Sequence, residues 1–305
     1  MRVITRRLTA LGVVFVATLV SATTFVAAGS ATADRAVPQL VFPVVGQTTY
    51  RDDFGEPRGQ GKHQGNDLMA ARLSPAVAAE AGKIKFWTHS ARAGCMLYLY
   101  GKSGTTYLYI HLNNDLTDKF DDKGKCVPGI AYMTGLKDGA TVQAGQQIGY
   151  VGDSGDAGGT YHLHFEVHPN DGAAVSPFPY LKKAQHLLVP VNPKLKVSLS
   201  VEGRVAQYTA NRMTVSLTSM TLFPGGQKLS GVRSIVLSVP TTAQVDTGDG
   251  SLVTADSTSL FDLAGRNVVV LTAPARATLA VVGVKPGALA AARIAAVMQA
   301  PPGGP

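Results

Sequence analysis

Cysteine is almost missing from this chain of 305 residues. Cys95 and Cys126 are the only two, and neither lies in a Cys-x-x-Cys motif. That argues against a zinc–thiolate site or dithiol catalysis. There is no His-Glu-x-x-His sequence either, so a helix-borne zinc site with glutamate as general base is not supported. No histidine follows His186, which leaves the last third of the chain without imidazole chemistry. No charged residue occurs from Leu8 to Ala33. The composition, with 45% hydrophobic residues and 33 glycines, is neither disordered nor collagen-like, and the length suits two modest domains.

The uncharged run follows Arg2, Arg6 and Arg7 and ends in Ala31-Thr32-Ala33. This is the pattern of a secretory signal peptide over residues 1–33, with a mature chain starting at Asp34 and acting outside the cytoplasm, secreted or at the cell wall. A retained membrane anchor is the alternative, and Arg6-Arg7 also permits a twin-arginine signal. After cleavage no stable membrane insertion is expected. In an oxidising compartment Cys95 and Cys126 have one possible intramolecular bridge, which would stabilise the fold by about 3–4 kcal/mol on a chain-entropy model. The formal charge is +8, and removing three leader arginines leaves +5. From 34 to 188 there are 15 basic and 15 acidic residues, and from 189 to 305 there are 10 and 5. The surplus is C-terminal. Nothing points to nucleic acid.

Short alternating segments bounded by glycine-bearing turns predict a mainly β chain. Strands are expected at 76–79, 83–88, 96–100 and 105–111, and a short helix or turn near Tyr180-Leu181. The central stretch is Tyr161-His162-Leu163-His164-Phe165-Glu166-Val167. As a strand it places Leu163, Phe165 and Val167 in a core and His162, His164 and Glu166 on the other face, the two imidazoles about 7 Å apart. Imidazole is both a metal ligand and a general acid or base near neutral pH. His63-Gln64-Gly65-Asn66-Asp67 reads as a loop entering a strand, with Gly65 allowing a bend that converges His63 and Asp67. His111 closes a strand. His168 is a candidate cleft-rim residue, while His89 and His186 lack a constellation. The polar insertion 113–135 carries Asp115, Asp118, Asp121 and Asp122 without EF-hand spacing, and reads as a solvated loop pinned by the disulfide. Beyond a Pro190-x-x-Pro193 linker, alternation at 195–201 and 213–217 and further strands at 234–239 and 267–272 predict a small β barrel or sandwich over 189–285. The tail 286–305 includes a stretch, 288–297, that reads as helix or strand.

Taken together, His63-x-x-x-Asp67, Tyr109-x-His111-Leu112 and His162-Leu163-His164-Phe165-Glu166 occur in order, with Phe54-Gly55-x-x-Arg58 upstream and Gly145-Gln146-x-Ile148-Gly149 between. This set resembles the lysostaphin/LytM-type zinc metallopeptidases over about residues 41–181. The resemblance implies a small antiparallel β peptidase domain with a cleft, within 34–188, that hydrolyses peptide bonds in bacterial peptidoglycan. It implies one Zn2+ held by His63, Asp67 and His164, with His111 and His162 as catalytic histidines whose division of labour is not readable. Two imidazoles and one carboxylate leave a metal position open, as catalysis requires. Glu166 then partners a histidine. Tyr161 stands where many relatives have proline, and the 113–135 insertion is long; both bear on substrate preference. An inactive LytM-type module that binds the wall or regulates another hydrolase is the alternative, and a structural zinc protein a third. The basic C-terminal region suggests contact with anionic cell-wall polymers.

Overall fold

The computed structural model describes residues 37–59, 61–229, 231–248 and 251–297. The leader 1–33 with its cleavage point, the end of the tail and the side chain of His89 lie outside that set. Two sheets dominate, the first antiparallel and the second antiparallel but for one parallel pair, each with its own buried cluster.

The first sheet is built on β1 (Asn66–Ala70), β2 (Gly82–Ser90), β3 (Gly94–Gly101), β4 (Thr106–Leu112) and β5 (His162–His168). Its spatial order is Thr48–Thr49, β1, β5, β4, β3, β2, Thr141–Val142. Central β5 pairs with β1 on one side and β4 on the other. Leu163, Phe165 and Val167 are fully buried, and they pack with Leu97, Leu99, Tyr107 and Tyr109 from the neighbouring strands. The opposite face of β5 therefore carries His162, His164, Glu166 and His168. A short helix, α1 (Phe178–Leu181), ends this half.

The disulfide joins Cys95 on β3 to Cys126 with Cα atoms 5.1 Å apart. The insertion it holds is more than the solvated loop its polarity suggests. Tyr132 is fully buried, stacks on Phe86 at 3.8 Å between centroids, and donates to the Met96 carbonyl at 2.9 Å. Asn113 and Asp115 are buried as well. Long-range packing here overrides local composition.

The second sheet uses β6 (Asn192–Thr209), β7 (Arg212–Phe223), β8 (Ser234–Ser238), β9 (Gln244–Asp246), β10 (Asn267–Thr272) and β11 (Ala291–Ala296). The long β6–β7 hairpin is its spine, β10 pairs with β6, β11 with β10, and β8 with β7. At the far edge Ser238 bridges Ala290 and its amide donates to the Leu289 carbonyl at 2.9 Å, so the sheet curls back toward closure. Residues 291–296 are thus strand, because β10 supplies a ladder for them. The Pro190-x-x-Pro193 stretch is not a free tether: Val191 is buried, its amide donates to the Gly145 carbonyl, and β6 begins at Asn192. Val41, Val45 and Val77 of the first half join the apolar cluster of the second.

Candidate active site

The strand register brings the first residues together. His164 stands opposite Asp67 on β1 and opposite Ile110 on β4, which places His111 one residue away. Cross-strand neighbours on one face lie within about 5 Å, so His164 and Asp67 meet without special geometry. His63 arrives from the turn before β1. Gly65 is needed there for close approach rather than for a bend: a Cβ on it would lie 2.5 Å from the Phe165 carbonyl oxygen and 2.8 Å from His164 Nε2. His111 adopts φ 61°, the left-handed region that few non-glycine residues occupy and that clusters at functional sites.

Each of four histidines has one ring nitrogen within hydrogen-bond distance of an acceptor, which orients the ring. His63 Nδ1 donates to the Asp53 carbonyl at 2.9 Å, His111 Nδ1 to the Ser154 carbonyl at 2.7 Å, His162 Nδ1 to the Thr160 carbonyl at 2.7 Å, and His164 Nε2 to Glu166 Oε1 at 3.0 Å. The other nitrogen of each ring remains for the cleft, which has a volume of about 610 Å³ and is lined by all four rings. His63 Nε2 and His164 Nδ1 are 2.9 Å apart, and both approach Asp67 Oδ1, at 3.1 and 3.0 Å. His162 Nε2 is 3.6 Å from the same oxygen, and His111 Nε2 is 3.8 Å from Asp156 Oδ1.

Among the described residues, His63, Asp67 and His164 are the group of three His, Cys, Asp or Glu side chains whose ligand atoms all lie within 4.8 Å of one another, close enough to hold a metal ion. The donor set fits one. Burial lowers the proton affinity of His164, but hydrogen bonds to Asp67 and Glu166 outweigh it and raise its pKa to about 9. Burial resists ionisation of Asp67, yet hydrogen bonds from His164 and His63 hold its carboxyl far below the usual range. A proton on His164 thus ties together the three ligand atoms that a divalent cation would otherwise join, and cation binding must displace it. His111 and His162 behave oppositely. Burial, then the charge of His162, pushes His111 down to about 4, and burial also lowers His162. Both stay neutral at pH 7.

Glu166 and His168 form a relay behind His164. Glu166 Oε2 accepts from His168 Nε2 at 2.7 Å, and His168 Nδ1 donates to the Gly172 carbonyl at 2.9 Å. Burial opposes ionisation of Glu166, but these two histidines bring it down to about 2. His168 therefore sits behind the site instead of at its rim. His186 stacks on Phe42 at 4.3 Å and belongs to the packing. Sequence reasoning named Arg58 only as part of a motif; its Nη2 is 2.8 Å from Asp67 Oδ2, so it orients the carboxylate and lines the cleft. The carbonyls of Asp53, Ser154 and Thr160 were missed altogether, because a backbone acceptor leaves no signature in residue type.

Residues 119–177 match the model of peptidase family M23. That segment is similar to the family. Its span contains His162 and His164. A curated relative of the chain is the L-Ala--D-Glu endopeptidase of Bacillus subtilis (strain 168), 25% identical over 152 residues, covering 46% of this chain and 41% of that protein. The chain thus spans about two-fifths of the relative's length. Among solved structures, the catalytic domain of the antimicrobial peptidase lysostaphin from Staphylococcus simulans is 28% identical, with 44% of this chain and 92% of that one covered and a TM-score of 0.35. A putative glycyl-glycine endopeptidase lytM from Ruminococcus gnavus is 25% identical, with 47% and 59% covered and a TM-score of 0.36. No helix among the described residues is long and apolar enough to cross a membrane.

Proposed function

We propose that this protein is an exported zinc metalloendopeptidase that hydrolyses peptide bonds in bacterial peptidoglycan, in cross-links or stem peptides. The observation that carries the reading is the four histidines whose remaining nitrogens share one cleft with Asp67. His63, Asp67 and His164 would hold the ion. Zinc bound there supplies a Lewis acid for the scissile carbonyl and lowers the pKa of water toward about 7.

His111 and His162 do the proton work. Both are neutral and anchored through Nδ1, so their Nε2 atoms can accept a proton from the attacking water and return it to the leaving amine. Once protonated, either can donate to the developing oxyanion. Glu166 keeps the His164 ring turned so that Nδ1 faces Asp67. Arg58 does the same for the Asp67 carboxylate.

The N-terminal 34–188 segment forms the peptidase domain in this reading, and 189–285 forms an accessory β domain whose positive charge favours anionic wall polymers. An inactive wall-binding module is the second reading, and the complete set His63, Asp67, His111, His162 and His164 favours catalysis. The deciding experiment is mass spectrometry of fragments released from purified walls. New peptide amino and carboxyl termini, lost after zinc chelation and recovered on adding zinc, are expected; wall binding with no bond cleaved would establish the inactive module.

A further inference from the structure

The sharpest imbalance of hydrogen bonding lies outside the histidine cluster. Among the described residues five buried side-chain atoms lack a hydrogen-bond partner, and all five are oxygens. Four of them sit at one corner of the fold: Asn113 Oδ1, Asn114 Oδ1 and both carboxylate oxygens of Asp153. Asp153 is 0% exposed and Asn113 1%. Orphaned acceptors with no orphaned donors ask for a cation, since buried polar groups are otherwise satisfied.

We propose that Asp115 and Asp153, with the amide oxygens of Asn113 and Asn114 and with Asp122 adding charge nearby, form a site for a hard divalent cation, calcium, beside the active-site cleft.

Two segments of chain build the corner. Gly152 packs so closely on Asn113 that a Cβ on it would lie 2.3 Å from the Asn113 Cα, and this brings Asp153 against the start of the insertion. The insertion then folds on itself. The amides of Asp121 and Asp122 donate to Asp115 Oδ1 at 2.7 and 3.0 Å, and Asn114 Nδ2 donates to Asp122 Oδ1 at 2.8 Å. Asn113 Nδ2 donates to the Asp115 carbonyl at 3.1 Å, so its Oδ1 is left facing away from that bond. The Tyr161 hydroxyl donates to Asp115 Oδ2 at 3.4 Å. Among the described residues none of the three carboxylates has a salt-bridge partner, and Arg72, whose charge reaches Tyr161, pairs with Asp118 at 2.8 Å. Burial, then the charges of Asp115 and Asp122, pushes Asp153 up to about 6; the nearby Gly159 amide opposes the shift and the Asp115 carboxyl adds to it, though neither meets Asp153 with hydrogen-bond geometry. At neutral pH the corner thus gathers negative charge with nothing to balance it. Oxygen-only donors, two of them carboxylates, with room for water from the exposed Asp122 side, suit calcium better than a soft metal.

The position gives the ion a role. Asp153 precedes Ser154, whose carbonyl holds His111, and Tyr161 precedes His162. A cation joining Asp153 to the insertion would order both walls that carry the cleft histidines.

The test uses the full-length, zinc-loaded protein, with terbium as an emissive calcium surrogate and calcium chloride in thermal melts. Tyr161 should sensitise terbium emission, calcium should quench it by displacement, and calcium should raise the melting temperature by several degrees. The expected affinity is that of extracellular calcium modules, a Kd of about 10⁻⁴–10⁻³ M. Asp153→Asn should lose both responses while retaining one equivalent of zinc. Tyr161→Phe should lose the emission and keep the thermal shift, which guards against misreading a folding defect in the first variant. If the wild type shows no calcium-dependent shift at about 10 mM, well above that Kd range, the proposal is overturned and a proton shared by Asp153 and Asp115 satisfies the corner instead. An equal shift in Asp153→Asn overturns it too. Neither readout involves hydrolysis, so failure here leaves the peptidase reading intact.

Discussion

The two sheets differ in what they bury. The first half hides Asp53, His63, Asn66, Thr105, Thr106, His111, Asn113, Asp115, Asp153, Ser154, His162 and Glu166, whereas the second hides only Ser259 and Thr272 among the described residues. Those two have local structural duties. Ser259 closes a capping box with Asp256 at the start of α2 (Ser257–Asp262), and Thr272 Oγ1 accepts from the Leu199 amide at 2.8 Å. Burying a polar group without structural return costs stability. Ten of these twelve gather at the cleft or the corner, while Thr105 and Thr106 sit at the far end of β4, bonded to Ser103 and Asp171. That clustering marks the half that holds the candidate site, and the scarcity of such groups marks the half that is scaffold or surface.

That contrast can be broken by experiment. The largest expected effect is on rate: His111→Ala and His162→Ala should each lower hydrolysis about 10²–10⁴-fold while bound zinc is retained, as measured by initial rates alongside metal analysis. Equal loss of zinc in either variant would make that residue a ligand. Next comes stability without chemistry. Leu237→Ala, at a fully buried site of the second sheet, should cost about 2–5 kcal/mol in denaturant unfolding yet leave the rate per folded molecule unchanged. A rate loss at low temperature would mean that the second sheet shapes the cleft. The smallest effect is on metal affinity: Glu166→Gln leaves His164 with a weaker acceptor and should weaken zinc binding about 10–100-fold in a competition titration.

Much of the first half was legible because period-2 alternation is a local signal. His162, Leu163, His164 and Phe165 announced both their strand and its two faces, and 267–272 was read to the residue. What escaped depended on partners distant in sequence. The insertion 113–135 looked solvated because its polarity is local, while its burial comes from contacts across the fold, Tyr132 stacking on Phe86 and bridging Gly149. The alanine-rich 291–296 gave no preference until β10 offered it a ladder. His111 had the right residue type, but its left-handed backbone and its tether to the Ser154 carbonyl belong to a loop meeting a strand end. Pro190-x-x-Pro193 had the composition of a linker, yet Val191 enters the apolar cluster of the second sheet. The proposed boundary at 188/189 thus crosses a packed junction.

The central claim is that one metal ion, held by His63, Asp67 and His164, makes the first half a peptidase. The most direct measurement is zinc stoichiometry and wall-peptide hydrolysis on the same samples of wild type and His164→Ala, each stripped by chelation and then titrated with zinc. The account predicts that wild-type activity returns in proportion to bound zinc and is complete at one equivalent, while His164→Ala neither binds zinc tightly nor recovers activity. Full hydrolysis by the stripped wild-type protein would contradict it.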